Sequence, residues 1–197
     1  MLEFIIENEE RAKGNTVICG VDEAGRGCLC GPVFAAAVIL PEDYINPDLN
    51  DSKKISPKKR EKLFDDIVEK AVSYGIAYST VEEIEKINIL NAAMLAMNRA
   101  VKKLAIDVDI ALIDGNISRG FDCNTRTVVK GDSLSPSIAA ASILAKVSRD
   151  RYITELSDKY PQYLFEKHKG YATREHIQAI REFGPCDIHR PSFLKKI

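Results

Sequence analysis

Five stretches of the chain have the apolar pattern of β-strands: residues 16–22, 32–40, 74–81, 109–115 and 125–132. In the first stretch, Val17, Cys19 and Val21 occupy alternate positions and therefore share one face of the strand. The second stretch, PVFAAAVIL, is apolar throughout, which predicts a strand near the centre of a sheet. No helix-length segment separates these two stretches, so we expect them to pair as a hairpin.

Helical spacing of apolar residues marks the segments between the later strands. The predicted helices cover residues 2–13, the segment that follows Pro57, residues 88–105 and residues 136 to about 158. Ser56-Pro57 and Ser135-Pro136 each place a capping residue before a proline, as at many helix N-termini. Strands that alternate with helices after an initial hairpin predict an α/β protein, with a mixed sheet and helices on both faces.

Length and composition limit the classes of protein to consider. The 197 residues fit one domain, alone or with a small appendage, and the charged and hydrophobic fractions of 29% and 45% are those of a soluble globular protein. No apolar run reaches the length of a membrane span. Five irregularly spaced cysteines and the lack of a signal-peptide pattern predict a cytoplasmic protein. The net charge of −1 gives no overall basic field, although 28 Lys and Arg residues leave room for a basic face.

Acidic residues end three of the predicted strands. Asp22 and Glu23 end the first, Asp114 ends the fourth and Asp132 ends the fifth. Because ligands of open α/β sheets bind outside strand ends, these four carboxylates are candidates for one shared site. Like charges at such short range require partial protonation or a cation. Oxygen ligands without a histidine or cysteine pattern favour Mg²⁺ or Mn²⁺ over zinc.

Turn formation and helix capping are alternative roles for single acids at strand ends. Asp114 in the turn sequence DGN and Asp132 ahead of a helix both fit such roles. The adjacent pair Asp22-Glu23 fits them less well, because neighbours in a strand face opposite sides and reach one site only if the chain turns at Glu23. Gly25 follows where such a turn needs conformational freedom. Two divalent ions held by these acids would suit phosphodiester hydrolysis.

Six segments, in order, resemble the motifs of type 2 ribonucleases H (ribonuclease HII): GVDEAGRG followed by GPVFAAAVIL, NDSKKIS, LIDGN, KGDSLSPSIAAASILAKVSRDR, HKGYATREH and HRPSF. They extend over residues 20–193. The resemblance implies a ribonuclease H-like α/β fold, with a five-stranded mixed sheet flanked by helices and a helical C-terminal portion. We expect a single domain over residues 1–197, with residues from about 160 to 197 packed on it as a helical extension.

The resemblance implies a metal-dependent endoribonuclease that uses two divalent ions, Mg²⁺ or Mn²⁺. It implies hydrolysis of the RNA strand of RNA–DNA hybrids and cleavage 5′ of single ribonucleotides embedded in duplex DNA, as in ribonucleotide excision repair, leaving a 3′-hydroxyl and a 5′-phosphate. The family's metal-binding catalytic acids fall on Asp22, Glu23, Asp114 and Asp132. The implied partner is nucleic acid rather than a membrane, and we expect a monomer.

The resemblance also assigns substrate-binding residues. The family's Gly-Arg-Gly segment, whose backbone contacts the ribose 2′-hydroxyl, falls on Gly25, Arg26 and Gly27; related type 3 enzymes lack this segment. Glycines allow such a close approach, and the 2′-hydroxyl is the group that distinguishes RNA from DNA. The family's tyrosine, whose ring stacks on the following deoxyribose, falls on Tyr171. Packing is the alternative role for Tyr171.

Three further basic residues are candidates for substrate contact. The resemblance places Lys53 in a loop near the substrate. Lys146 and Arg149 lie three positions apart in a predicted helix and share a face, which indicates either phosphate contact or an ordinary solvated face. Cys28 and Cys30 replace the proline and an alanine of the family's GRGPLAGPV, which puts the stiffness of this loop in doubt. We expect inert or oxidation-prone thiols there, because structural zinc requires four ligands.

Three other functions are compatible with these patterns. A nucleic-acid-binding module that has lost catalysis would gain nothing from four repelling acids near phosphates. Another nuclease or phosphotransferase of the same fold would cut DNA without needing a 2′-hydroxyl. A small-molecule protein with a cation in a cleft at the strand ends would have no affinity for a duplex. Metal-dependent activity on substrates with and without one 2′-hydroxyl distinguishes the three.

Overall fold

The structure, a computed structural model, describes residues 2–49 and 55–195. Its sheet consists of β1 (Ile18–Ala24), β2 (Val33–Ile39), β3 (Ser73–Ser79), β4 (Ile110–Asp114) and β5 (Asn124–Val128). The strands lie in the order β3-β2-β1-β4-β5. β1 pairs antiparallel with β2 and parallel with β4, so the sheet is mixed and the predicted hairpin is confirmed.

Seven α-helices accompany the sheet in the described part of the chain: α1 (Ile5–Ala12), α2 (Pro57–Lys70), α3 (Val81–Val101), α4 (Pro136–Glu155), α5 (Phe165–His168), α6 (Arg174–Phe183) and α7 (Pro191–Leu194). α3 packs on one face of the sheet, against Cys19 and Val21 of β1. α2 and α4 pack on the other face, against Ala36 and Val38 of β2. The prediction of helices on both faces is therefore confirmed. None of the helices in residues 2–49 and 55–195 is both long and apolar enough to cross a bilayer.

The start of α3 differs from the prediction of a helix over residues 88–105. The helix begins at Val81, where a strand was expected to end, because Thr80 and Glu83 form a reciprocal capping box. Asn88, with φ of 66°, interrupts the helical backbone. The helical spacing of apolar residues is regular only beyond this kink, so the pattern reveals the second part of the helix alone.

The N-terminus of α4 is fixed against both β1 and α1. A Cβ atom on Gly20 would lie 2.1 Å from the carbonyl carbon of Ser137, so the glycine permits direct backbone contact between β1 and α4. The buried carboxylate of Glu7 accepts hydrogen bonds from the Ser135 hydroxyl at 2.6 Å and from the Ser137 amide at 3.1 Å. A carboxylate at this end of a helix is favoured by the helix dipole. These contacts set the position of α4, which carries part of the candidate site.

The C-terminal helices attach to the body of the protein through a separate apolar cluster. Tyr163, Phe165 and Ile180 pack against Ile153 of α4 and Leu29 of the loop that joins β1 to β2. This loop carries the glycine-rich segment of the predicted site. The C-terminal helices therefore support the loop from the side opposite the sheet.

Three buried histidines form a hydrogen-bonded group beneath this region. His176 Nδ1 donates to the carbonyl of Tyr171 at 2.9 Å, which leaves His176 Nε2 as an acceptor for the N–H of His189 Nε2 at 3.0 Å. His189 Nδ1 in turn accepts from the amide of Cys186. The ring of His168 stacks on His176, with 4.3 Å between the ring centres. The bonding pattern is complete when all three rings are neutral.

Acid is expected to destabilise the protein through this group. Burial lowers the pKa of all three histidines, and that of His176 to about 4. Unfolded histidine titrates near 6.5, so the unfolded state takes up protons first as the pH falls. Stability is full above pH 6.5 and falls progressively towards pH 4, by up to about 3 kcal/mol for His176 alone. Urea unfolding at several pH values measures this loss. His176→Asn keeps a donor for the Tyr171 carbonyl but does not titrate, so its stability should vary less with pH; an unchanged pH dependence would contradict the assignment.

Candidate active site

A cavity of about 280 Å³ opens at the ends of β1 and β4. Its lining brings together most of the residues predicted for the site: Asp22, Glu23, Gly25, Arg26, Gly27, Asp114, Lys146 and Tyr171. Ser142, which the sequence did not indicate, also lines it. Asp132 does not belong to this lining, and Lys53 lies outside the described residues.

The two adjacent acids reach the cavity without the expected turn at Glu23. β1 continues through Asp22 and Glu23 to Ala24, in register with β2, and the chain turns only at Gly25, where φ is 96°. The prediction of a turn at Glu23 is wrong. Both side chains nevertheless border the cavity, because it lies across the end of the strand.

Asp22 is the most buried acid of the cavity, with 5% of its surface exposed. Its Oδ1 accepts a hydrogen bond from the Glu23 amide at 2.7 Å. Burial raises the pKa of Asp22 well above its usual range, and the nearby charges of Glu23 and Asp114 raise it further. A hydrogen bond with Ser142 acts in the opposite direction. Ser142 precedes Lys146 by four residues in α4, so helical spacing would have placed both on one face.

Asp132 lies in a turn rather than at the end of a strand, which corrects the sequence prediction. β5 ends at Val128, and Lys130 adopts a left-handed conformation with φ of 59° before the 3-10 turn Gly131–Ser133. The Gly131 amide donates to Asp114 Oδ1 at 2.7 Å, which holds this turn against β4. Asp132 is 8% exposed and follows directly in the chain. The turn therefore keeps Asp132 close to the cavity, although not in its lining.

The donor set fits a hard divalent cation. The cavity presents carboxylates of Asp22, Glu23 and Asp114, and oxygen-only ligands of this kind suit Mg²⁺ or Mn²⁺. A cation would also offset the repulsion between these negative charges, which lie close together and partly away from water. Within residues 2–49 and 55–195, no group of three or more His, Cys, Asp and Glu side chains has the spacing of a formed metal site. Asp22, Glu23 and Asp114 nevertheless line one cavity.

The two glycines of the Gly-Arg-Gly segment differ in what they do. A Cβ atom on Gly25 would lie 2.0 Å from Nε of Arg149, and the positive φ of Gly25 also disfavours any other residue. A Cβ atom on Gly27 would have no neighbour within 4 Å, and Gly27 is exposed. Between them, Arg26 is half exposed and its guanidinium pairs with Glu23 at 3.0 Å. Packing therefore explains Gly25, whereas the bare backbone at Gly27 faces open space beside the cavity.

Arg149 is buried, which corrects its prediction as a phosphate contact. The side chain has no exposed surface, and its guanidinium donates to the carbonyls of Cys30 at 3.1 Å, Pro32 at 3.4 Å and Lys169 at 2.9 Å. It joins the glycine-rich loop to the segment that carries Tyr171. The guanidinium carbon of Arg149 lies 6.0 Å from the centre of the Tyr171 ring. Arg149 is a structural residue of the site.

Arg190 is a second buried arginine with the same function, and the sequence did not single it out. Its guanidinium donates to the carbonyls of Arg26 at 3.0 Å, Cys28 at 2.9 Å and Gly31 at 2.7 and 2.9 Å. Burial, together with the neighbouring charge of Arg149, lowers the pKa of Arg190 to about 10. The HRPSF motif was the available signal. Two arginines from distant parts of the chain therefore hold successive carbonyls of this loop.

The cysteines of the loop are buried free thiols. Cys28 and Cys30 have no exposed surface, and burial raises the pKa of Cys30 to about 12. A thiol with so high a pKa is a poor nucleophile. The loss of the family's proline does not leave the loop unsupported, because Arg149 and Arg190 bind its carbonyls directly.

Lys146 and Tyr171 complete the lining of the cavity, and Tyr171 lies next to Cys28 of the glycine-rich loop. The Lys146 ammonium lies 5.1 Å from the centre of the Tyr171 ring and pairs with Asp150 at 2.7 Å. Tyr171 is 41% exposed, so part of its side chain is accessible to a ligand. Lys146 lines the same cavity as Asp22 and Glu23, and its role as a phosphate contact stays a prediction.

Comparisons with known proteins identify the family of the chain. The model of the ribonuclease HII family matches residues 19–196. A ribonuclease HII from Caldicellulosiruptor bescii is 55% identical over 194 residues, which cover 98% of this chain and 94% of that protein.

Solved structures give the same result for the fold. The crystal structure of ribonuclease H2 from Pyrococcus horikoshii OT3 superposes with a TM-score of 0.74 at 26% identity, covering 90% of this chain and 93% of that one. Ribonuclease HII from Archaeoglobus fulgidus, solved in complex with PCNA, gives a TM-score of 0.72 at 25% identity, with coverages of 89% and 94%. The ribonuclease H-like fold is thereby confirmed. The chain belongs to the ribonuclease HII family of metal-dependent endoribonucleases, which act on RNA–DNA hybrids.

Proposed function

We propose that this protein cuts on the 5′ side of single ribonucleotides embedded in duplex DNA as well as within longer hybrids, and leaves a 3′-hydroxyl and a 5′-phosphate. The observation that carries the proposal is the cavity itself. Three acids, of which Asp22 is buried, an exposed glycine backbone at Gly27 and the exposed ring of Tyr171 all border one space of about 280 Å³. That space would admit one sugar and its phosphate. We further propose that the protein acts as a monomer in the cytoplasm.

The acids are proposed to hold two divalent ions, Mg²⁺ or Mn²⁺. Asp22, Glu23 and Asp114 supply oxygen ligands from the cavity, and Asp132 joins them from the turn that Asp114 anchors. When bound, the ions would lower the pKa of a water and stabilise the leaving oxygen. Ser142 supports this arrangement by holding the Asp22 carboxylate.

The backbone of the Gly25–Gly27 segment is proposed to read the 2′-hydroxyl. Arg149 and Arg190 bind carbonyls of this loop from the inside, so its path is set before any substrate arrives. The open space at Gly27 allows a sugar to approach the main chain closely. A 2′-hydroxyl both donates and accepts, so backbone groups there would distinguish ribose from deoxyribose.

Tyr171 is proposed to receive the deoxyribose that follows the ribonucleotide. Its ring is exposed at the cavity, and Lys146 beside it offers a charge to the adjoining phosphate. An extra hydroxyl on the following sugar would meet the ring and disfavour a ribonucleotide at that position. This contact gives the enzyme its preference for the junction.

The proposal is tested with labelled DNA duplexes that differ in one sugar. One duplex carries a single ribonucleotide, one is all DNA, and one carries a 2′-fluoro sugar, which lacks the hydroxyl donor. With Mg²⁺ or Mn²⁺ we expect one cut, on the 5′ side of the ribonucleotide only, and none with chelator. Cleavage of long hybrids without cleavage at the single ribonucleotide would overturn the junction assignment but keep the nuclease.

Alanine substitutions at the two glycines should separate folding from substrate reading. Gly27→Ala adds a methyl group in open space, so we expect unchanged thermal stability and at least about tenfold slower cleavage at a single ribonucleotide. Gly25→Ala places the methyl group on Arg149 and should lower stability by about 1 kcal/mol or more. Thermal unfolding and junction cleavage are measured for both variants. Full junction activity in Gly27→Ala would contradict the close approach of the sugar.

A further inference from the structure

We propose that a second, basic groove binds the backbone of the cleaved strand on the 3′ side of the junction. This inference rests on the proposed function, because the position of Tyr171 at the first deoxyribose fixes the direction. The groove has a volume of about 390 Å³ and lies between α2, α4 and α5. Apart from Lys146 and Tyr171, which also line the active-site cavity, its residues have no role in the proposed function.

The groove concentrates positive charge on a chain of nearly zero net charge. Five cationic side chains line it, and two carboxylates oppose them, which leaves a local excess of three positive charges. The cations are Arg60, Lys146, Arg151, Lys167 and Lys169, and the acids are Glu61 and Asp150. Of the remaining titratable groups, His168 is buried with a lowered pKa and Tyr171 has a raised pKa, so neither adds charge near neutral pH. Such a surface matches an anionic polymer better than a neutral ligand.

Several of these cations are held in place before any ligand binds. Arg151 pairs with Glu61 and lies over the ring of Phe64, at 4.3 Å from its centre. The Lys169 ammonium donates to the Thr154 hydroxyl at 2.6 Å. Fixed cations lose little conformational freedom when a phosphate arrives.

Lys167 differs from these residues because it has no ion-pair or hydrogen-bond partner for its ammonium group within residues 2–49 and 55–195. It is exposed and lies in the last turn of α5, at the wall of the groove. Its charge is therefore available to a ligand without first breaking a contact inside the described part of the protein. Substitution of Lys167 is therefore the most direct test of whether the groove binds a ligand.

The groove continues directly from the active-site cavity. Lys146 and Tyr171 line both spaces, so they form the boundary between them. A strand that leaves the acids and passes over the Tyr171 ring must enter the groove. Contacts to phosphates position a duplex without reading its sequence, as an enzyme for scattered ribonucleotides requires. An acidic protein segment would match the charge, but the continuity with the cavity favours the substrate's own backbone.

The test compares Lys167→Glu with Lys86→Glu on single-ribonucleotide duplexes. Lys86 is an exposed lysine of α3, on the opposite face of the sheet, so its variant carries the same change of charge away from the groove. On a substrate with a long 3′ DNA flank, we expect Lys167→Glu to raise KM about tenfold and to reduce the salt dependence of binding, with Lys86→Glu within about twofold of the wild type. On a substrate whose 3′ flank ends just beyond the junction, all three proteins should have similar KM values.

Neutral methylphosphonates at single 3′ positions supply the second measurement. They should weaken binding by the wild type and by Lys86→Glu at one or more 3′ positions, and have little effect on Lys167→Glu at those positions. If the wild type does not cut single-ribonucleotide duplexes at all, the proposed function fails. If the wild type cuts them but Lys167→Glu behaves as Lys86→Glu on the long flank, the groove assignment alone is wrong. A larger effect of a 5′ flank on Lys167→Glu than on Lys86→Glu would place the strand in the opposite direction and also overturn the groove assignment.

Discussion

Replacing Asp22 with asparagine is expected to reduce cleavage by at least about 10³-fold while the protein stays folded. Asparagine has the same shape, so it can keep the hydrogen bond from the Glu23 amide at Oδ1. It removes a buried charge that lies close to Glu23 and Asp114. Without metal, the loss of this repulsion should stabilise the protein by about 1 kcal/mol. Activity and stability should therefore change in opposite directions, which a general folding defect would not produce.

The measurement combines cleavage rates with thermal unfolding in chelator and in Mn²⁺. The wild type should gain stability on addition of the ion, because ligands that bind only the folded state raise its stability. Asp22→Asn should show little gain. Asp65→Asn, at an exposed position of α2, is the matched control and should behave as the wild type. Full cleavage by Asp22→Asn would contradict a role for this carboxylate in metal binding. So would an equal gain in stability on addition of Mn²⁺ in Asp22→Asn and in the wild type.

Replacing Arg190 with alanine is expected to give the largest loss of stability among the positions considered. Its guanidinium makes four hydrogen bonds to three carbonyls of the glycine-rich loop, and the side chain has no exposed surface. Each buried carbonyl left without a donor costs about 1–3 kcal/mol, so we expect a total loss of about 4 kcal/mol. Junction cleavage should fall with it, because the loop that carries Gly27 loses its support.

Arg190→Lys distinguishes the loss of geometry from the loss of charge. Lysine keeps the charge but lacks the planar fork that reaches several carbonyls at once, so we expect it to recover only part of the stability and little of the junction activity. Arg181→Ala, an exposed arginine of α6, serves as the control. Urea unfolding and cleavage of a single-ribonucleotide duplex give the two readouts. A loss below about 1 kcal/mol for Arg190→Ala would contradict the supporting role.

Local patterns in the sequence were sufficient for the strands and for most helices. Alternation in residues 16–22 and the apolar run over 32–40 correspond to β1 and β2, since both patterns report which faces a strand buries. The patterns failed where backbone geometry overrides periodicity. Asn88, with its positive φ, divides α3 into two parts, and the left-handed Lys130 ends β5 before Asp132. A single residue with positive φ leaves no trace in the spacing of apolar residues, so the sequence pattern does not reveal either position.

In the site too, residues placed by local structure were predicted, whereas those placed by contacts distant in sequence were not. The prediction that Asp22, Glu23 and Asp114 meet at the strand ends is correct, because each lies in or next to a regular strand. Arg149 was misassigned because helical spacing places it beside Lys146, yet the C-terminal segment covers it and supplies the Lys169 carbonyl. Arg190 acts across more than 150 residues on the carbonyls of Cys28 and Gly31. Contacts of such separation depend on the whole fold, so the HRPSF motif marks Arg190 without showing which carbonyls it binds.

The proposed mechanism requires the metal ions to contact the scissile phosphate, and sulphur substitution at that phosphate tests this contact. One non-bridging oxygen of the phosphate 5′ to a single ribonucleotide is replaced by sulphur, and cleavage is followed in Mg²⁺ and in the more sulphur-tolerant Mn²⁺. We expect one stereoisomer to be cut poorly in Mg²⁺ and to recover in Mn²⁺ with the wild type, but not with Asp22→Asn. An equal loss in both ions, or recovery in Asp22→Asn, would show that the ions bound by these carboxylates do not touch the phosphate.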